Sequence, residues 1–281
     1  MPYGVSNTVG PPDKREVEAI LRTAYRAGIR VIDTAARYGS SESVIGQSIG
    51  KKQQWRLITK TPFLQGDPDP IAKSTKAFQR SLIKLQQKRL YALLVDYSKD
   101  LMSSKGNRLF RYFQNLKASG LIQKVGVSVY TRKDIDAVLE QYPVDVIQLP
   151  FNVWDQRLLE DGTLARLKTR GLEVHARSVF LQGLLLMSPA QIKKHRYFQK
   201  WKNHFRRYHQ LLNEEGLGLM HTALSFVLSQ PLIDTVLVGT ACLSELTGIL
   251  RSASRPAPTI DYSRFGMDDP GLLNPSVWKI S

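Results

Sequence analysis

The sequence of 281 residues contains a single cysteine, Cys242, which excludes a disulfide framework within the chain and fits a reducing cytoplasm. No apolar run reaches the roughly 18 residues that a membrane-spanning helix requires. The N-terminal segment MPYGVSNTVGPP lacks the basic and apolar regions of a signal peptide. The five histidines show no metal-ligand spacing. These absences favour a cytoplasmic protein with no spanning helix and no metal site.

Acidic residues are scarce: 24 stand against 40 lysines and arginines, which gives a net charge of +16. A field of this sign attracts nucleotides, phosphates, nucleic acid or acidic membrane surfaces. The basic residues are scattered except for a denser stretch at Lys193–His209. A basic amphipathic helix there would bind RNA or a membrane surface, whereas the simpler interpretation is a solvated helical segment. Nucleic acid is therefore not the favoured partner.

Strand-like and helix-like segments alternate along the whole chain. Short β-branched runs are separated by helical patterns, for example over residues 13–27 and 110–118, and this alternation predicts a parallel sheet with both faces covered. The runs are RVIDTA, WRLITKTP, LYALLVDY, VGVSVY, VDVIQLPF, LEVHARSV and DTVLVGT. With a short strand at residues 3–5 they predict eight βα units, the count of a (β/α)8 barrel. A doubly wound sheet is the alternative, but no GxGxxG follows the first strand.

The expected domain organisation is one domain over residues 1–281, with the barrel at about 3–253 and a tail at 254–281. The tail is rich in proline, glycine and serine. We expect it to wrap the surface or partly cover the barrel mouth.

Polar residues lie at or near the C-terminal ends of six predicted strands. They are Asp33, Lys60, Asp96, Ser128, Gln148 and Ser178. In a (β/α)8 barrel these strand ends converge on the face that holds the active site. One polar strand end would mean little, since such residues often cap the next helix. Six of them predict a functional site.

Several segments together resemble the aldo-keto reductases over roughly residues 3–250. They are GIRVIDTAARYGSSESVIGQSI, LKASGLIQKVGVSVYT, VIQLPFNVWDQR, HARSVFLQGLLL and DTVLVGTACLSEL. The resemblance implies an α/β fold, a (β/α)8 barrel that here lacks the usual N-terminal hairpin. It also implies an oxidoreductase that reduces an aldehyde or ketone, or oxidises the alcohol, with NADH or NADPH and without a metal.

The resemblance assigns three of the family's four catalytic residues to Asp33, Tyr38 and Lys60. The residue types fit the chemistry, because hydride addition builds negative charge on the carbonyl oxygen and Tyr38 can give that oxygen a proton. An ammonium at Lys60 would make the phenol a stronger acid, and Asp33 would hold Lys60 in place. Without the resemblance, a structural ion pair with Tyr38 packed beside it explains the same residues.

The fourth catalytic position departs from the family, because Asp96 stands where the family has a histidine. Losing one hydrogen-bond donor to the carbonyl oxygen costs roughly 10²–10³ in rate. A carboxylate also repels the developing oxyanion. One alternative is therefore a catalytically impaired barrel that binds a nucleotide or a partner, with Asp96 paired to Lys60 or Arg177. A further alternative is an enone double-bond reductase in which a protonated Asp96 donates the hydrogen bond, as a glutamate does in some steroid reductases of the family.

The resemblance also implies a set of cofactor-binding residues. Ser128 and Gln148 would hold the nicotinamide carboxamide, and Ser178 the pyrophosphate region. Arg177 replaces an aromatic residue that stacks on the nicotinamide, and its planar guanidinium could stack there or bind phosphate. The remaining members are the loop residues Leu181, Gly183, Gly239, Thr240 and Glu245, where backbone amides could hold phosphate.

Two positions bear on the choice of cofactor and substrate. NADP-dependent members carry a lysine and an arginine where this chain has Gly239 and Glu245. A carboxylate repels a 2′-phosphate, so these two residues favour NADH, while the net charge of +16 favours NADPH. Arg37 and Arg177 predict a basic mouth and an acidic, phosphorylated or sugar-like carbonyl substrate. The sequence does not predict an oligomeric state.

Overall fold

The computed structural model describes residues 10–50 and 53–279. In these ranges it forms the strands β1 (Val31–Asp33), β2 (Arg56–Lys60), β3 (Leu90–Val95), β4 (Ile122–Ser128), β5 (Val146–Pro150), β6 (Glu173–Arg177) and β7 (Thr235–Val236). The α-helices are α1 (Lys14–Arg26), α2 (Ser41–Ser48), α3 (Pro70–Leu85), α4 (Ser98–Leu101), α5 (Gly106–Ala118), α6 (Arg132–Gln141), α7 (Arg157–Glu160), α8 (Thr163–Thr169), α9 (Pro189–Lys193), α10 (Lys202–Glu214), α11 (Leu219–Leu228), α12 (Leu243–Ala253) and α13 (Pro270–Leu273). Short 3-10 helices cover Leu181–Leu186, Arg196–Trp201, Tyr262–Phe265 and Pro275–Val277.

The strands found are the predicted ones. Each of the runs read as a strand between residues 30 and 240 overlaps one of β1 to β7, although β4 begins three residues before the run VGVSVY. The predicted strand at residues 3–5, and with it the question of the N-terminal hairpin, lies outside the described residues. None of the helices in the described ranges is long and apolar enough to cross a membrane.

The chain divides into two compact units. The first unit holds Pro12–Leu149 and Thr169–Val174. The second holds Pro150–Lys168 and the chain from His175 onward. The expectation of one domain over residues 1–281 stays a prediction.

In the first unit, β1 to β5 pair in chain order and every pair is parallel. The register sets Asp33 beside Ile58, Lys60 beside Leu94 and Ser128 beside Gln148. Most residues of β2 to β5 are buried, including consecutive ones, so both faces of these strands are covered. This is the arrangement that near-continuous apolar strands predict. The register also fixes which polar strand ends become neighbours.

Helix α1 shows how local sequence sets the elements that flank the strands. Its N-cap Asp13 accepts a hydrogen bond of 2.8 Å from the backbone N–H of Glu16, which satisfies a donor that the first turn leaves open. Ile20 and Ala24 form its buried face. Gly28 follows with a φ of +89°, a conformation that favours glycine, and the chain then enters β1.

In the second unit, β6 and β7 are parallel, with His175 beside Thr235 and Ala176 beside Val236. Its core contains the fully buried Trp154, which makes edge-to-face contacts with neighbouring rings. The ring centres of Phe205 and Tyr208 lie 5.1 Å and 5.2 Å from that of Trp154. Trp154 is therefore a core residue.

The basic stretch Lys193–His209 belongs to this core. It forms the end of α9, a 3-10 helix and the start of α10. Phe198, Trp201, Phe205 and Tyr208 on its apolar face are buried, while the lysines and arginines between them are exposed. Because packing already covers the apolar face, the structure supports the interpretation as a solvated helical segment.

The tail docks on the same part of the second unit. Asp269 accepts a hydrogen bond of 2.7 Å from Trp201 Nε1, and Tyr197 Oη donates one of 2.8 Å to the carbonyl of Gly271. The rings of Phe198 and Trp278 meet edge to face, with centres 5.0 Å apart. These contacts fix the tail on the surface of the 196–208 segment.

Candidate active site and cofactor cleft

Asp33 and Lys60 form a buried ion pair in the first unit. Asp33 ends β1 and Lys60 ends the neighbouring β2, so parallel pairing brings the two strand ends together. Lys60 Nζ donates to Asp33 Oδ2 and, at 3.1 Å, to the backbone carbonyl of Thr34. The side chain of Lys60 is 2% exposed and that of Asp33 is 16% exposed. A charge buried this deeply requires its partner, because removing one leaves the other uncompensated.

Tyr38 lies in the turn after β1, with two cations near its ring. Its backbone N–H donates a hydrogen bond of 2.9 Å to the carbonyl of Ala35, which closes the turn. Lys60 Nζ is 5.6 Å from the centre of the Tyr38 ring, and the guanidinium carbon of Arg37 is 5.0 Å from it. Both cations are within the distance of a cation–π contact with the ring.

Asp96 follows the last residue of β3 and pairs with Arg37. Arg37 Nε donates to Asp96 Oδ2, and the backbone N–H of Asp96 donates to Thr61 Oγ1 at 3.1 Å. The sequence suggested Lys60 or Arg177 as the partner of Asp96. Arg37 takes that place instead, while Lys60 Nζ binds Asp33 and Thr34.

The pair is unevenly exposed, with the Asp96 side chain at 5% and that of Arg37 at 41%. Burial by itself lowers the pKa of Arg37, but the charge and hydrogen bond of Asp96 outweigh this and raise the pKa above its usual range. The guanidinium is therefore charged at every accessible pH.

A second carboxyl lies close to Asp96. Asp100, in α4, is 4% exposed. Burial, with a smaller contribution from the charge of Asp96, raises the pKa of Asp100 to about 6, against a usual 3.8. This residue titrates nearer to neutral pH than an ordinary carboxyl group, and sequence analysis did not single it out.

Ser128 and Gln148 are buried at adjacent strand positions in the first unit, where the sequence predicted them. Gln148 Nε2 donates a hydrogen bond of 2.9 Å to Asp33 Oδ1. Asp33 thus accepts from Lys60 on one oxygen and from Gln148 on the other, which fixes its orientation. The predicted contact of Ser128 and Gln148 with a nicotinamide stays a prediction.

The second unit contains a cleft beside α12. Its lining combines apolar side chains with the backbone of two loops, and it includes four predicted cofactor residues, namely Gly183, Gly239, Thr240 and Glu245. The other lining residues are Val179, Phe180, Gln182, Leu186, Met220, Leu237, Val238, Ala241 and Ile249. Arg177 and Ser178 precede the first loop, and Arg177 Nη1 lies 3.3 Å from Ser178 Oγ. Leu181 is fully buried, so its side chain packs inward.

The loop from Ser178 to Gly183 has an unusual backbone. Ser178, Leu181 and Gln182 have φ values of +60°, +45° and +57°, in the left-handed region that costs non-glycine residues roughly 1 kcal/mol or more each. Gly183 continues the series at +87°. Asn152 Nδ2 donates a hydrogen bond of 3.2 Å to the carbonyl of Ser178 and helps to hold the loop. Strain of this kind clusters at ligand sites.

Glu245 closes the second loop of the cleft. Its Oε2 accepts hydrogen bonds from the backbone N–H of Ala241 at 2.7 Å and from Thr240 Oγ1 at 3.1 Å. Glu245 is in the first turn of α12, whose N-cap residue Cys242 makes no side-chain capping bond. The carboxylate therefore orders the loop in addition to any effect on a ligand.

The cleft joins a helix N-terminus to an apolar wall. The N-terminus of the 11-residue helix α12 carries partial positive charge, part of which the carboxylate of Glu245 in its first turn offsets. Leu186, Leu237 and Ile249 supply apolar wall suited to an adenine ring. Among the described residues, no cluster of three or more histidine, cysteine or acidic side chains could hold a metal ion.

Sequence reasoning missed two features of these sites. The Arg37–Asp96 pair joins residues 59 positions apart, so no local pattern shows it, although the place of Arg37 directly before Tyr38 is a usable signal. Met220 and Ile249 of the cleft are ordinary apolar helix residues in the sequence. Their place in the lining of the cleft is evident only from the packing of the structure.

The comparisons with known proteins agree on one family. The sequence profile described as Aldo/keto reductase family matches residues 3–265. The chain is 26% identical to aldo-keto reductase YhdN of Bacillus subtilis (strain 168) over 272 residues, which cover 85% of this chain and 80% of the relative. It is 27% identical to an aldo-keto reductase of Mycobacterium sp. (strain JLS) over 186 residues, 64% of this chain and 63% of the relative.

Solved structures show the same fold. The holo form of an aldo-keto reductase from Bacillus halodurans has a TM-score of 0.72 and 22% identity, covering 90% of this chain and 86% of that one. A glycerol dehydrogenase from Gluconobacter oxydans has a TM-score of 0.69 and 22% identity, covering 91% and 85%. The predicted (β/α)8 barrel fold is thereby confirmed. The chain belongs to the Aldo/keto reductase family of oxidoreductases, which act on small-molecule carbonyl substrates with NAD(P)H.

Proposed function

We propose that this protein reduces an aldehyde or ketone with a nicotinamide cofactor, or oxidises the corresponding alcohol, with Tyr38 as the proton donor. One observation carries the proposal: a buried Asp33–Lys60 ion pair holds an ammonium 5.6 Å from the centre of the Tyr38 ring. Membership of the family supplies the reaction class.

Each residue of the cluster has a distinct task in this proposal. Tyr38 gives its phenolic proton to the carbonyl oxygen, which becomes the hydroxyl oxygen of the alcohol product. Lys60 stabilises the phenolate that remains, and Asp33 holds Lys60 at the ring. Gln148 orients Asp33 through its 2.9 Å hydrogen bond. The bound reduced cofactor supplies the hydride that the carbonyl carbon receives.

We further propose that the cleft beside α12 holds the cofactor and favours NADH. Gly183, Gly239, Thr240 and Glu245 line the cleft, and Glu245 is the member of this set with a carboxylate. That carboxylate repels a 2′-phosphate through its charge. Its two hydrogen bonds to the loop also restrict its movement away from a bound ligand. Arg177 and Ser178 stay candidates for the same cofactor.

Binding and turnover test the two proposals separately. Calorimetric titration with NADH and NADPH should show micromolar binding of at least one, and no binding at millimolar concentration would contradict an oxidoreductase role. Replacing Tyr38 by phenylalanine should leave cofactor affinity unchanged and lower kcat for aldehydes by about 10²–10⁴-fold. Tyr25→Phe, on α1, is the matched control and should keep wild-type kcat. Equal activity of both variants would exclude Tyr38 as the proton donor.

The catalytically impaired barrel is the second candidate, and Asp96 favours it. If loss of the family histidine has disabled the site, the wild type should bind cofactor without turnover, and Asp96→His should raise aldehyde reduction at least tenfold by restoring a donor. The enone-reductase alternative receives less support. It requires Asp96 to donate a hydrogen bond, whereas Asp96 Oδ2 accepts one from Arg37 Nε.

A further inference from the structure

Among the residues that the structure describes, the side chain of Arg37 is anchored through one nitrogen. Nε donates to Asp96, whereas Nη1 and Nη2 make no hydrogen bond to any other residue that the structure describes. The anchor is firm, because Asp96 is 5% exposed and directly follows β3, with its backbone N–H bound to Thr61 Oγ1. Arg37 itself is 41% exposed. A guanidinium held at Nε therefore keeps its two Nη groups available as donors.

Those Nη groups belong to a cation that lies beside the proposed proton donor. The guanidinium carbon of Arg37 is 5.0 Å from the centre of the Tyr38 ring, closer than the 5.6 Å of Lys60 Nζ. The chemistry that the histidine position supplies in this family is donation of a hydrogen bond to the carbonyl oxygen. A guanidinium carries five N–H donors and never needs to change protonation state to donate.

We propose that Arg37 takes over this task, and that Asp96 is the positioning residue that holds Arg37 for it. Arg37 Nη donates to the carbonyl oxygen on which negative charge develops, while Tyr38 protonates that oxygen. The proposal rests on the reductase function above. It also accounts for the carboxylate at position 96, since the positive charge of Arg37 cancels the repulsion that a lone Asp96 would exert on the oxyanion.

Two aldehydes of similar shape separate this role from simple substrate binding. p-Nitrobenzaldehyde is neutral and p-carboxybenzaldehyde is an anion, and each is reduced with the preferred cofactor by wild type and variants. The variants are Arg37→Met, Arg37→Lys, Asp96→Asn and the double variant Arg37→Met/Asp96→Asn. The double variant removes both charges of the ion pair, so neither charge is left without its partner and the protein should still fold. Arg132→Met, on α6, removes an exposed arginine that pairs with Asp136 and is the matched control.

The expected result is a fall in kcat of about 10²-fold for Arg37→Met and for the double variant on both aldehydes, the cost of one lost oxyanion donor. KM should change much less than kcat, and added guanidinium ion should restore part of the kcat of the double variant. Arg37→Lys should fall between wild type and Arg37→Met. Asp96→Asn should lower kcat by about tenfold, since Arg37 loses its anchor but keeps its charge. Asp96→His should give no gain over wild type.

Three outcomes would overturn the inference. If Arg37→Met raised KM for the acidic aldehyde alone and kept kcat, Arg37 would be a binding group for acidic substrates. If kcat of Arg37→Met equalled that of Arg132→Met on both aldehydes, the residue would have no part in the reaction. A wild type that binds cofactor but reduces neither aldehyde, and gains activity with Asp96→His, would contradict the proposed function as well.

Discussion

The cluster around Lys60 and the cleft beside α12 use different parts of the chain for their chemistry. In the first unit, Asp33, Lys60 and Asp96 are charged side chains placed by strand ends and paired with one another or with Arg37. In the second unit, the cleft is formed by apolar side chains and by the backbone of two loops. Its one acidic lining residue, Glu245, is bound to its own loop.

This difference matches the role that we propose for each region. Proton transfer depends on a few charges at fixed distances, and buried charges paired on strands keep those distances. A long dinucleotide is bound along its length, so many weak contacts and a helix N-terminus suffice. A single substitution should therefore disable the first region, whereas the second should lose affinity in small steps. Four substitutions test this comparison.

The largest effect is expected for Lys60→Met. Asp33 would stay buried without its partner, which costs about 3–5 kcal/mol of unfolding free energy, and kcat should fall by about 10²–10⁴-fold. The double variant Asp33→Asn/Lys60→Met removes both charges and should recover most of the stability but none of the activity. Denaturant unfolding and aldehyde turnover measure the two effects. If the double variant recovered both stability and activity, the ion pair would be structural only.

Trp154→Ala tests the second unit through packing instead of charge. The side chain is fully buried among the rings of His204, Phe205 and Tyr208, so truncation should lower the unfolding free energy by about 3–5 kcal/mol. Because no charged group is disturbed, kcat of the folded fraction should stay within about threefold of wild type. Trp55→Ala, at a half-buried site, is the control with a smaller loss. A large fall in kcat without loss of stability would contradict the division of tasks.

Asp100→Asn should stabilise the protein above neutral pH. Burial raises the pKa of Asp100 from 3.8 to about 6, so the folded state holds this proton more tightly than the unfolded state does. The stability from protonated Asp100 is complete below about pH 4 and is lost as the pH rises through about 6, a change of about 3 kcal/mol. An asparagine side chain at this position has no such titration. The variant should therefore match wild type at about pH 4 and exceed it at about pH 7 in thermal unfolding.

Asp67→Asn is the matched control for that prediction, with the opposite sign. A hydrogen bond from Lys73, with help from the backbone of Asp69, lowers the pKa of Asp67. A lowered carboxyl pKa contributes stability that is present at neutral pH and lost in acid. Asp67→Asn should thus lower the unfolding temperature at neutral pH. If both asparagine variants moved the unfolding temperature in the same direction at neutral pH, the assignment for Asp100 would be wrong.

The smallest effect is expected for Glu245→Gln. The amide oxygen can keep the hydrogen bond from Ala241, while the charge that repels a 2′-phosphate is gone. The affinity for NADPH should rise by about fivefold, or about 1 kcal/mol, and the affinity for NADH should stay unchanged. Glu245→Ala removes the loop contacts as well and should cost about 1 kcal/mol of stability. If the wild type bound NADPH tenfold more tightly than NADH, the role given to Glu245 would be wrong.

The sequence predicted the strands, which depend on local apolar patterns. It also predicted the site residues that lie at the ends of those strands. The apolar runs gave the strands, and parallel pairing then placed Asp33 beside Lys60 as expected. It did not predict that Arg37 would be the partner of Asp96, because that contact depends on how a turn after β1 approaches the end of β3. Nor did the sequence predict the raised pKa of Asp100. That shift comes from burial of a short polar helix, and burial of such a helix depends on packing that its composition does not show.

The docked tail affects what tryptophan fluorescence reports about this protein. Of the four tryptophans in the sequence, Trp154, Trp201 and Trp278 belong to the second unit, where the tail carries Trp278 and contacts Trp201. Only Trp55 belongs to the first unit, where its ring meets that of Tyr25. Intrinsic fluorescence at long wavelength is thus mainly an emission of the second unit. Melting curves recorded this way follow the tail and its core, and circular dichroism is needed to see the strands that carry Asp33 and Lys60.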